Sequence, residues 1–364
     1  MSHRSRLWKQ APALCAALVF STLAFAQHYN QTNLVSNLSG TAKNQDMHLK
    51  NPWGLTRGST TPWWVSNNGD GTATLYDGQG NPIPNRVFNV PAPPNSSSSS
   101  TPTGVVFNGT SDFTVAPKLP ALFIFVTEDG TISGWNPNVN PTDAVLKVNN
   151  SPRAVYKGVT LGEANGKHFL YVTNFRSGRV EVYDTWFQPV HMSEEAFDDD
   201  RLPHGYAPFG IQALGKNIVV TFAKQDAQRH DDVAGPGRGF VDVFSPTGRL
   251  LARLQHGPWL NSPWGVALAP GEFGEFSHSL LIGNFGGGNI AAFNPVTGEF
   301  LGNVQNPDNT ILNIDGLWAL QFGNNAAAGP SNTLFFTAGI HGEADGLFGT
   351  ITPISAELAE EDEP

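Results

Sequence analysis

The hydrophobic positions of the chain fall into short runs that recur with a long and regular period. Four copies of the tetrapeptide x-Pro-x-Gly each begin an apolar run: Asn51 to Gly54, Thr101 to Gly104, Ala207 to Gly210 and Ser262 to Gly265. Degenerate copies stand at Tyr156 to Gly158 and Ile314 to Gly316, so the six glycines are separated by 50, 54, 52, 55 and 51 residues. This repetition predicts one supersecondary unit that occurs six times.

Each repeat unit continues with apolar and polar residues in the period-2 alternation of β-strands. A second run such as Phe169 to Val172 is followed by a Gly-bearing turn and a third run such as Arg179 to Tyr183. Most units end with a weaker fourth run, for example Leu250 to Leu254. Four short antiparallel strands in a repeat of roughly 40–50 residues are typical of a propeller blade. We therefore predict an all-β, six-bladed β-propeller of four-stranded antiparallel blades.

The last repeat unit ends before a fourth run, whereas Thr32 to Ser36 near the N-terminus belongs to no unit. We expect this segment to form the outer strand of the last blade, because such pairing closes the ring and covers a sheet edge. Two stretches interrupt the repeats. Pro91 to Pro102 is expected to be an inter-blade loop, and Gln188 to Tyr206 an insertion between the third and fourth blades.

The composition supports this fold class. The chain has 39 glycines and 27 prolines, and charged residues make up only 14% of it, against about 25% in ordinary globular proteins. Helical bundles and coiled coils need Glu, Lys and Arg on their solvated faces, so this composition disfavours both.

The N-terminal segment has the pattern of a secretory signal peptide. Arg4, Arg6 and Lys9 precede an apolar run from Ala11 to Phe25, and Ala24 to Ala26 forms a small-x-small cleavage site. We therefore predict a signal peptide at residues 1–26, a propeller at 27–355 and an acidic tail at 356–364.

The mature protein would contain no cysteine, because Cys15 lies in the predicted signal peptide. An exported protein without disulfides is more typical of bacterial export than of eukaryotic secretion, so we expect a secreted or periplasmic location. The net charge of −10 disfavours nucleic acid and anionic membranes as partners. We expect a monomer with no transmembrane segment in the mature chain.

Several runs resemble known propeller families. The Pro-x-Gly starts and strands ending in Val-Ser/Thr-Asn resemble NHL-type repeats, and four runs resemble a family of exported bacterial six-bladed propellers: Leu202 to Gly210, Leu281 to Asn289, Asp315 to Leu320 and Phe335 to Gly339. Some members of that family carry a PEP-CTERM sorting tail, whereas this chain ends in Glu360 to Pro364, so covalent surface sorting is not expected. The resemblance implies a fold and a compartment but no reaction.

Six-bladed propellers also include lactonases, and resemblance to them implies metal ligands just before the inner-strand glycine of each blade. The residues at that position are Trp53, Thr103, Lys157, Phe209, Trp264 and Asp315. Calcium prefers six to eight oxygen ligands, several of them carboxylates. A ring with one carboxylate, three aromatic residues and a lysine gives calcium only weak support, so no cofactor is predicted. Lys157 and Asp315 lie three blades apart and are the alternative catalytic pair.

A second ring of candidate ligand-binding residues ends the second strands of alternate blades at Asn67, Asn174 and Asn284, with Glu128 in the second blade. These asparagines either hold their own turns or form a polar collar above an aromatic mouth. The aromatic residues of the first ring either line that mouth or pack between the blades.

Two further segments carry titratable residues. The insertion holds His191, Glu194, Glu195, Asp198 to Arg201 and His204, without the spacing of a calcium-binding loop, so a solvated acidic loop is expected. His341 and Glu343 are close enough in sequence to pair near the closing blade, but no second ligand pair accompanies them, so a metal site is not expected there.

Two functional hypotheses follow. The first is an exported, non-catalytic scaffold that binds a protein, glycan or small ligand at one face of the ring. The alternative is a lactonase-like hydrolase or lyase with a rebuilt central site, in which Lys157 and Asp315 act as acid and base.

Overall fold

The computed structural model describes residues 28 to 354, which form six β-sheets around a central axis, a small additional hairpin and one 3-10 helix at Gly274–Phe276. The N-terminal strands are β1 (Tyr29–Ser36) and β2 (Asn44–Gln45). The predicted signal peptide and acidic tail lie outside the described residues. Within residues 28–354, no helix is long and apolar enough to cross a bilayer.

Blades 1 to 3 follow one another along the chain. Blade 1 consists of β3 (Pro52–Thr56), β4 (Trp63–Asn67), β5 (Thr72–Tyr76) and β6 (Pro82–Asn89). Blade 2 consists of β7 (Pro102–Phe107), β10 (Phe123–Thr127), β11 (Thr131–Trp135) and β12 (Val145–Asn149), with β8 (Thr114–Ala116) and β9 (Leu119–Pro120) forming the additional hairpin. Blade 3 consists of β13 (Tyr156–Ala164), β14 (Lys167–Asn174), β15 (Arg179–Tyr183) and β16 (Pro189–Val190).

Blades 4 to 6 complete the ring. Blade 4 consists of β17 (Tyr206–Leu214), β18 (Asn217–Lys224), β19 (Gly239–Phe244) and β20 (Leu250–Arg253). Blade 5 consists of β21 (Pro263–Leu268), β22 (Leu280–Asn284), β23 (Ile290–Phe293) and β24 (Phe300–Asn303). Blade 6 consists of β25 (Leu317–Phe322), β26 (Leu334–Ala338), β27 (Leu347–Pro353) and β1, with the two-residue β2 paired in parallel along the outer edge of β1. The predicted all-β, six-bladed propeller is therefore confirmed.

The ring is closed by β1, as the sequence predicts. This strand pairs antiparallel with β27, from Tyr29 opposite Pro353 to Ser36 opposite Leu347. The Tyr29 hydroxyl also donates to the Phe273 carbonyl of blade 5 at 3.0 Å. The N-terminal strand therefore supplies the outer strand of the last blade and an anchor to its neighbour.

The repeated inner-strand glycine reflects the crowding of backbones around the axis. A methyl group on Gly265 would lie 2.5 Å from the Trp318 carbonyl oxygen of the next blade, and one on Gly104 would lie 2.8 Å from the Val159 nitrogen. Any side chain at these positions would force neighbouring blades apart. Glycine at these positions is therefore a packing requirement of the ring.

In blade 6 the inner strand starts at a different position from the one that the repeat predicted. The backbone N–H groups of Gly158 and Gly210 donate to threonine hydroxyls of the second strands, at 2.7 and 2.8 Å. Ala319, not Gly316, makes the equivalent bond, to Thr337 at 3.1 Å. The blade-6 counterpart of Trp53 is therefore Trp318 rather than Asp315. Gly316 precedes β25 with a φ of 63°, so the sequence marker belongs to a turn.

The insertion between blades 3 and 4 is shorter than predicted, because Pro189 and Val190 form β16, the fourth strand of blade 3. It is also not simply a solvated acidic loop. Asp199 is only 4% exposed, and its carboxylate pairs with Arg201 and with Arg253, each at 2.7 Å. Arg253 also pairs with Asp242 at 2.8 Å, so the insertion is held against blade 4 by buried ion pairs.

Candidate functional site

A cluster of charged residues lies on one face of the ring. This face carries the starts of the inner strands and the turns that connect the second strand of each blade to the third. We call this group of residues the mouth cluster; its members are Glu128, Lys157, His230, Asp231, Asp232 and Glu343. The Lys157 ammonium bonds the carboxylates of Glu128 and Asp231, and ligand atoms of Glu128, His230 and Asp231 lie within 4.8 Å of one another. The charges of Lys157 and Asp231 also shift the pKa values of Asp232 and Glu343. The six residues come from blades 2, 3, 4 and 6. The repeat geometry explains this meeting, because each inner strand begins on the face where its second strand ends.

Lys157 is the innermost member of the mouth cluster and is 1% exposed. Its ammonium group pairs with the carboxylate of Glu128 and, at 3.4 Å, with Asp231. Burial lowers the pKa of Lys157, but the charge and hydrogen bond of Glu128 outweigh burial, so the pKa is raised overall. Lys157 is thus a fixed, protected positive charge.

His230 and Asp231 form a dyad at the solvent side of Lys157. The Nδ1 atom of His230 lies 2.8 Å from Asp231 Oδ1, and the two side chains are 39% and 66% exposed. The hydrogen bond from His230 lowers the pKa of Asp231 to about 2, with a further contribution from Lys157. The same bond raises the pKa of His230. Asp231 therefore stays ionised and orients the imidazole.

Glu343 has the opposite character. Burial is the main cause that raises its pKa to about 7, and the negative charges of Glu128, Asp231 and Asp232 raise it further. Its Oε2 atom accepts a hydrogen bond from Asn51 at 3.3 Å. Glu343 therefore exchanges a proton near neutrality, whereas Asp231 does not.

Aromatic side chains fill the channel beneath the mouth cluster. The buried rings belong to Trp53, Phe175, Phe209 and Trp318, with the partly buried Trp264 and Phe285 packed against them. Trp53 and Trp318 stack with ring centroids 3.5 Å apart. We call this group of six rings the aromatic plug. The Lys157 ammonium lies 4.9 Å from the Trp53 ring centroid, so the aromatic plug also makes a cation–π contact.

The predicted ring of Trp53, Thr103, Lys157, Phe209, Trp264 and Asp315 is only partly brought together. Three aromatic members meet in the plug, where their rings pack on one another instead of lining an open mouth. The Thr103 hydroxyl donates to the Tyr156 carbonyl at 2.8 Å and links two blades.

The suggested catalytic pair is not formed. Asp315 is exposed and accepts from the His341 backbone N–H at 2.7 Å, whereas Lys157 bonds to Glu128 and Asp231. His191 and His204 are exposed in the insertion, and the contacts of Lys157 and Asp315 involve neither. The displacement of Asp315 follows from the shifted register of blade 6.

The asparagines of the second predicted ring make local hydrogen bonds, although Oδ1 of Asn67 is buried without a partner. Asn67 donates to Thr74 at 3.0 Å, within its own hairpin. Asn174 accepts from Val155 at 3.2 Å, and Asn284 accepts from Asn261 at 2.8 Å. Asn174 and Asn284 thus hold the turns that lead into their blades, and Asn67 holds its own hairpin, as the simpler of the two interpretations describes. His341 and Glu343 do not pair: His341 contacts Asp345 at 3.0 Å, and Glu343 joins the mouth cluster.

One group in the described part of the chain has the ligand types of a metal site, because oxygen or nitrogen atoms of Glu128, His230 and Asp231 lie within 4.8 Å of one another. The Lys157 ammonium, however, already bonds the carboxylates of Glu128 and Asp231. A divalent ion there would have to displace or face a buried positive charge. The residues present therefore fit calcium poorly. The weak expectation of calcium from the sequence gains no support from this group.

Sequence reasoning missed His230, Asp231, Asp232 and Trp318, and considered Glu343 only as a partner of His341. The one signal that the sequence offers for His230 to Asp232 is that three titratable residues follow one another in the connection between β18 and β19. Trp318 was missed because Gly316, which precedes its strand, was taken as the repeat marker.

No family model matches the chain. The uncharacterized protein R648 of Acanthamoeba polyphaga mimivirus is 29% identical over 327 residues, which cover 87% of this chain and 78% of the relative. This relative is viral, so the bacterial origin and the NHL-like or PEP-CTERM relationship expected from the sequence find no support in it.

Two solved structures are similar in fold. A glucose dehydrogenase has a TM-score of 0.55 at 12% identity and covers 88% of this chain and 99% of its own. The virginiamycin B lyase of Staphylococcus aureus has a TM-score of 0.52 at 11% identity and covers 90% of this chain and 100% of its own. At these identities the likeness shows the propeller fold alone.

Proposed function

We propose that the protein is an acid–base enzyme of the lyase or hydrolase class, with its active site at the mouth cluster. The observation that carries the proposal is that the pKa values of two neighbouring carboxyl groups are shifted in opposite directions. The pKa of Glu343 is raised to about 7 and that of Asp231 is lowered to about 2, within one cluster. Pairs of carboxyl groups whose pKa values differ in this way are characteristic of acid–base sites.

The roles follow from exposure and hydrogen bonding. His230 is partly exposed and its Nδ1 is held by Asp231, which leaves Nε2 to exchange a proton with a substrate. Glu343 holds a proton near neutrality and serves as the second proton-transfer group. Lys157 is too deeply buried to touch a substrate. It is a positioning residue that keeps Glu128 and Asp231 in place.

The chemistry best suited to this pair is proton removal from a carbon beside a carbonyl group, with proton donation to the departing oxygen. One group takes the proton, the new carbon–carbon double bond forms, the carbon–oxygen bond breaks and the other group protonates the oxygen. Activation of water against an ester would use the same two groups. The similarity in fold to a lyase gives this reaction class additional support by analogy.

The non-catalytic scaffold remains the second candidate, with a protein, glycan or small ligand as partner. It is favoured by the aromatic side chains beneath the mouth cluster, which pack on one another in the channel. Export to a secreted or periplasmic location, a monomeric state and the absence of a cofactor accompany both candidates as proposals.

The test measures turnover of dihydrocoumarin, 4-nitrophenyl butyrate and virginiamycin B by wild type, His230→Asn and Glu343→Gln. We expect each substitution to reduce turnover about 100-fold or more, the usual contribution of a proton-transfer group. His168→Asn is the matched control, because His168 makes a similar 2.8 Å contact with Asp112 at the β13–β14 hairpin. Turnover that survives both mouth substitutions, or its absence with all three compounds, would favour the scaffold.

A further inference from the structure

A small cavity lies on the axis of the ring, beneath the aromatic plug. Its volume is about 40 Å³, whereas one water molecule needs about 10–15 Å³. Every blade contributes to its lining the residue that follows the inner-strand glycine, or Ala319 in blade 6: Leu55, Val105, Val159, Ile211, Val266 and Leu320. The cavity therefore has room for one small ion with a water molecule beside it.

The backbone N–H groups of these six lining residues point towards the axis. Consecutive N–H groups along a strand point in opposite directions. Those of Gly158 and Gly210 donate to the second strand of their own blade, at 2.7 and 2.8 Å. The next N–H groups, of Val159 and Ile211, must therefore point away from the blade and into the cavity. The same relation holds at the equivalent position of blade 6.

The pairing in blades 2 and 5 gives the same direction. The backbone N–H of Asn108 donates to the second strand of blade 2 at 2.8 Å, and that of Ala269 donates to the second strand of blade 5 at 2.9 Å. Val105 and Val266 each lie three residues earlier, an odd number, so their N–H groups point away from the blade. Leu55 holds the equivalent position in blade 1. One backbone donor from each blade is thus directed at the cavity.

These six donors have no partner elsewhere in the described part of the chain. Within residues 28–354 they make no hydrogen bond outside the strand ladders. Outside the cavity the same strand edge is satisfied, since Ala213, two residues after Ile211, donates to the Thr160 hydroxyl of blade 3 at 3.0 Å. Buried backbone N–H groups in folded proteins nearly always have a partner. Six donors around one cavity therefore indicate a bound group that accepts hydrogen bonds.

A partly buried cation near the cavity indicates that this group is negatively charged. Arg57 follows Leu55 by two residues, about 6–7 Å along the strand. Its guanidinium group donates to the carbonyls of Phe322 and Gly323 at 2.9 and 3.0 Å. Burial lowers the pKa of Arg57, and no carboxylate among residues 28–354 pairs with it. An anion on the axis would compensate this charge.

A cation fits the cavity less well. Each lining residue also directs its carbonyl oxygen to the axis, because the N–H and C=O groups of one strand residue point the same way. A cation bound at these oxygens would face the positive charge of Arg57, and no lining residue carries a carboxylate to offset that repulsion.

We propose that the axial cavity binds one small monovalent anion, such as chloride, through backbone N–H groups of all six blades. The anion would hold the six inner strands to one another at the axis and so stabilise the closed ring. The inference goes beyond the proposed function and does not depend on it, because the aromatic plug lies between the cavity and the mouth cluster.

The first experiment measures the thermal unfolding midpoint of the full-length protein in sodium chloride and in sodium gluconate. Gluconate is too large for a cavity of about 40 Å³. At about 500 mM salt we expect the midpoint to be about 2–4 °C higher in chloride, because an anion that binds only the folded state stabilises it. Arg57→Met should remove most of this difference, whereas Arg57→Lys keeps the charge and should retain it. Arg249→Met, at an exposed arginine, is the matched control and should behave as wild type does.

The second experiment locates the anion and needs no variant. Crystals of the wild-type protein grown in sodium bromide should show an anomalous bromide peak on the axis, among the six backbone N–H groups. This measurement keeps the inference testable if Arg57→Met does not fold.

Three results would overturn the inference: equal midpoints in chloride and gluconate, no bromide peak on the axis, or a midpoint difference that Arg57→Met leaves unchanged. A bromide peak without a chloride-dependent midpoint would indicate an adventitious ion only and would overturn it too. A midpoint that changes between sodium and potassium gluconate, but not with the anion, would assign the cavity to a cation at the carbonyl oxygens. Loss of turnover in the mouth variants bears only on the proposed function, since none of these measurements uses a substrate.

Discussion

Replacing Glu343 by glutamine should stabilise the protein by an amount that grows as the pH rises from about 5 to about 7 and stays constant above that. Glu343 lies in the connection between β26 and β27, partly buried, with a φ of 69°. Burial and the negative charges of Glu128, Asp231 and Asp232 raise its pKa, against a smaller opposing effect of Lys157. Glutamine keeps the size of the side chain and the acceptor for Asn51 but cannot ionise.

The magnitude follows from the difference between the folded and unfolded pKa values. The ordinary value is 4.5 and the folded value about 7. The folded protein thus binds the proton more tightly, and stability falls as pH rises from the unfolded value through the folded one. At about 1.4 kcal/mol per pKa unit, the full cost of ionisation is about 3 kcal/mol, lowered to about 2 kcal/mol if water reaches the carboxyl. Near pH 5 the cost is below about 1 kcal/mol.

The assay is urea unfolding of wild type and Glu343→Gln at about pH 5 and about pH 8. We expect the variant to exceed the wild type by about 2–3 kcal/mol at the higher pH and by less than about 1 kcal/mol at the lower one. Asp308→Asn, at an exposed position, serves as the control with no such gain. A variant equally stable or less stable than wild type at the higher pH would refute the idea that Glu343 ionises at a cost.

Three further substitutions or deletions test other parts of the structure. Lys157→Met should reduce the free energy of unfolding in urea by about 3–5 kcal/mol, because Glu128 is left buried without its partner. Adding Glu128→Gln should recover part of this loss, and no recovery would contradict the pairing. Arg253→Met should cost a similar amount and expose the insertion to proteolysis, since Asp199 and Asp242 both lose a buried partner; the exposed Arg249→Met should change neither, and equal effects would reject the role of the ion pairs. Deleting Tyr29–Ser36 should markedly lower the thermal midpoint, because β27 loses its neighbour and Tyr29 its buried site; an unchanged midpoint would contradict closure by β1.

The fold was accessible from the sequence because propeller blades are local structures. Alternation with period 2 and glycine-bearing turns identify each hairpin within about 50 residues. The repeat count then sets the number of blades. Closure by β1 was predictable as well, because a sheet edge without a partner in blade 6 matched a strand without a blade at Thr32 to Ser36.

Register was predictable only where the repeat was intact. The inner-strand glycine is imposed by the approach of neighbouring backbones at the axis, as at Gly265 beside Trp318. In blade 6 Ala319 occupies the equivalent position and the marker glycine lies in the preceding turn, so Asp315 was mistaken for a ring member. A small side chain in place of glycine is enough to mislead a pattern that counts glycines.

The mouth cluster was decided by tertiary structure alone. Glu128, Lys157, Asp231 and Glu343 lie in four different blades, and Glu128 and Glu343 are 215 positions apart in the chain. Each belongs to a turn or strand start whose local sequence specifies only that turn. Their convergence depends on ring closure, and their proton affinities depend on the burial and mutual charge that closure creates. The sequence alone thus determined the strands, the turns and the number of blades, whereas the meeting of these charges required the closed ring.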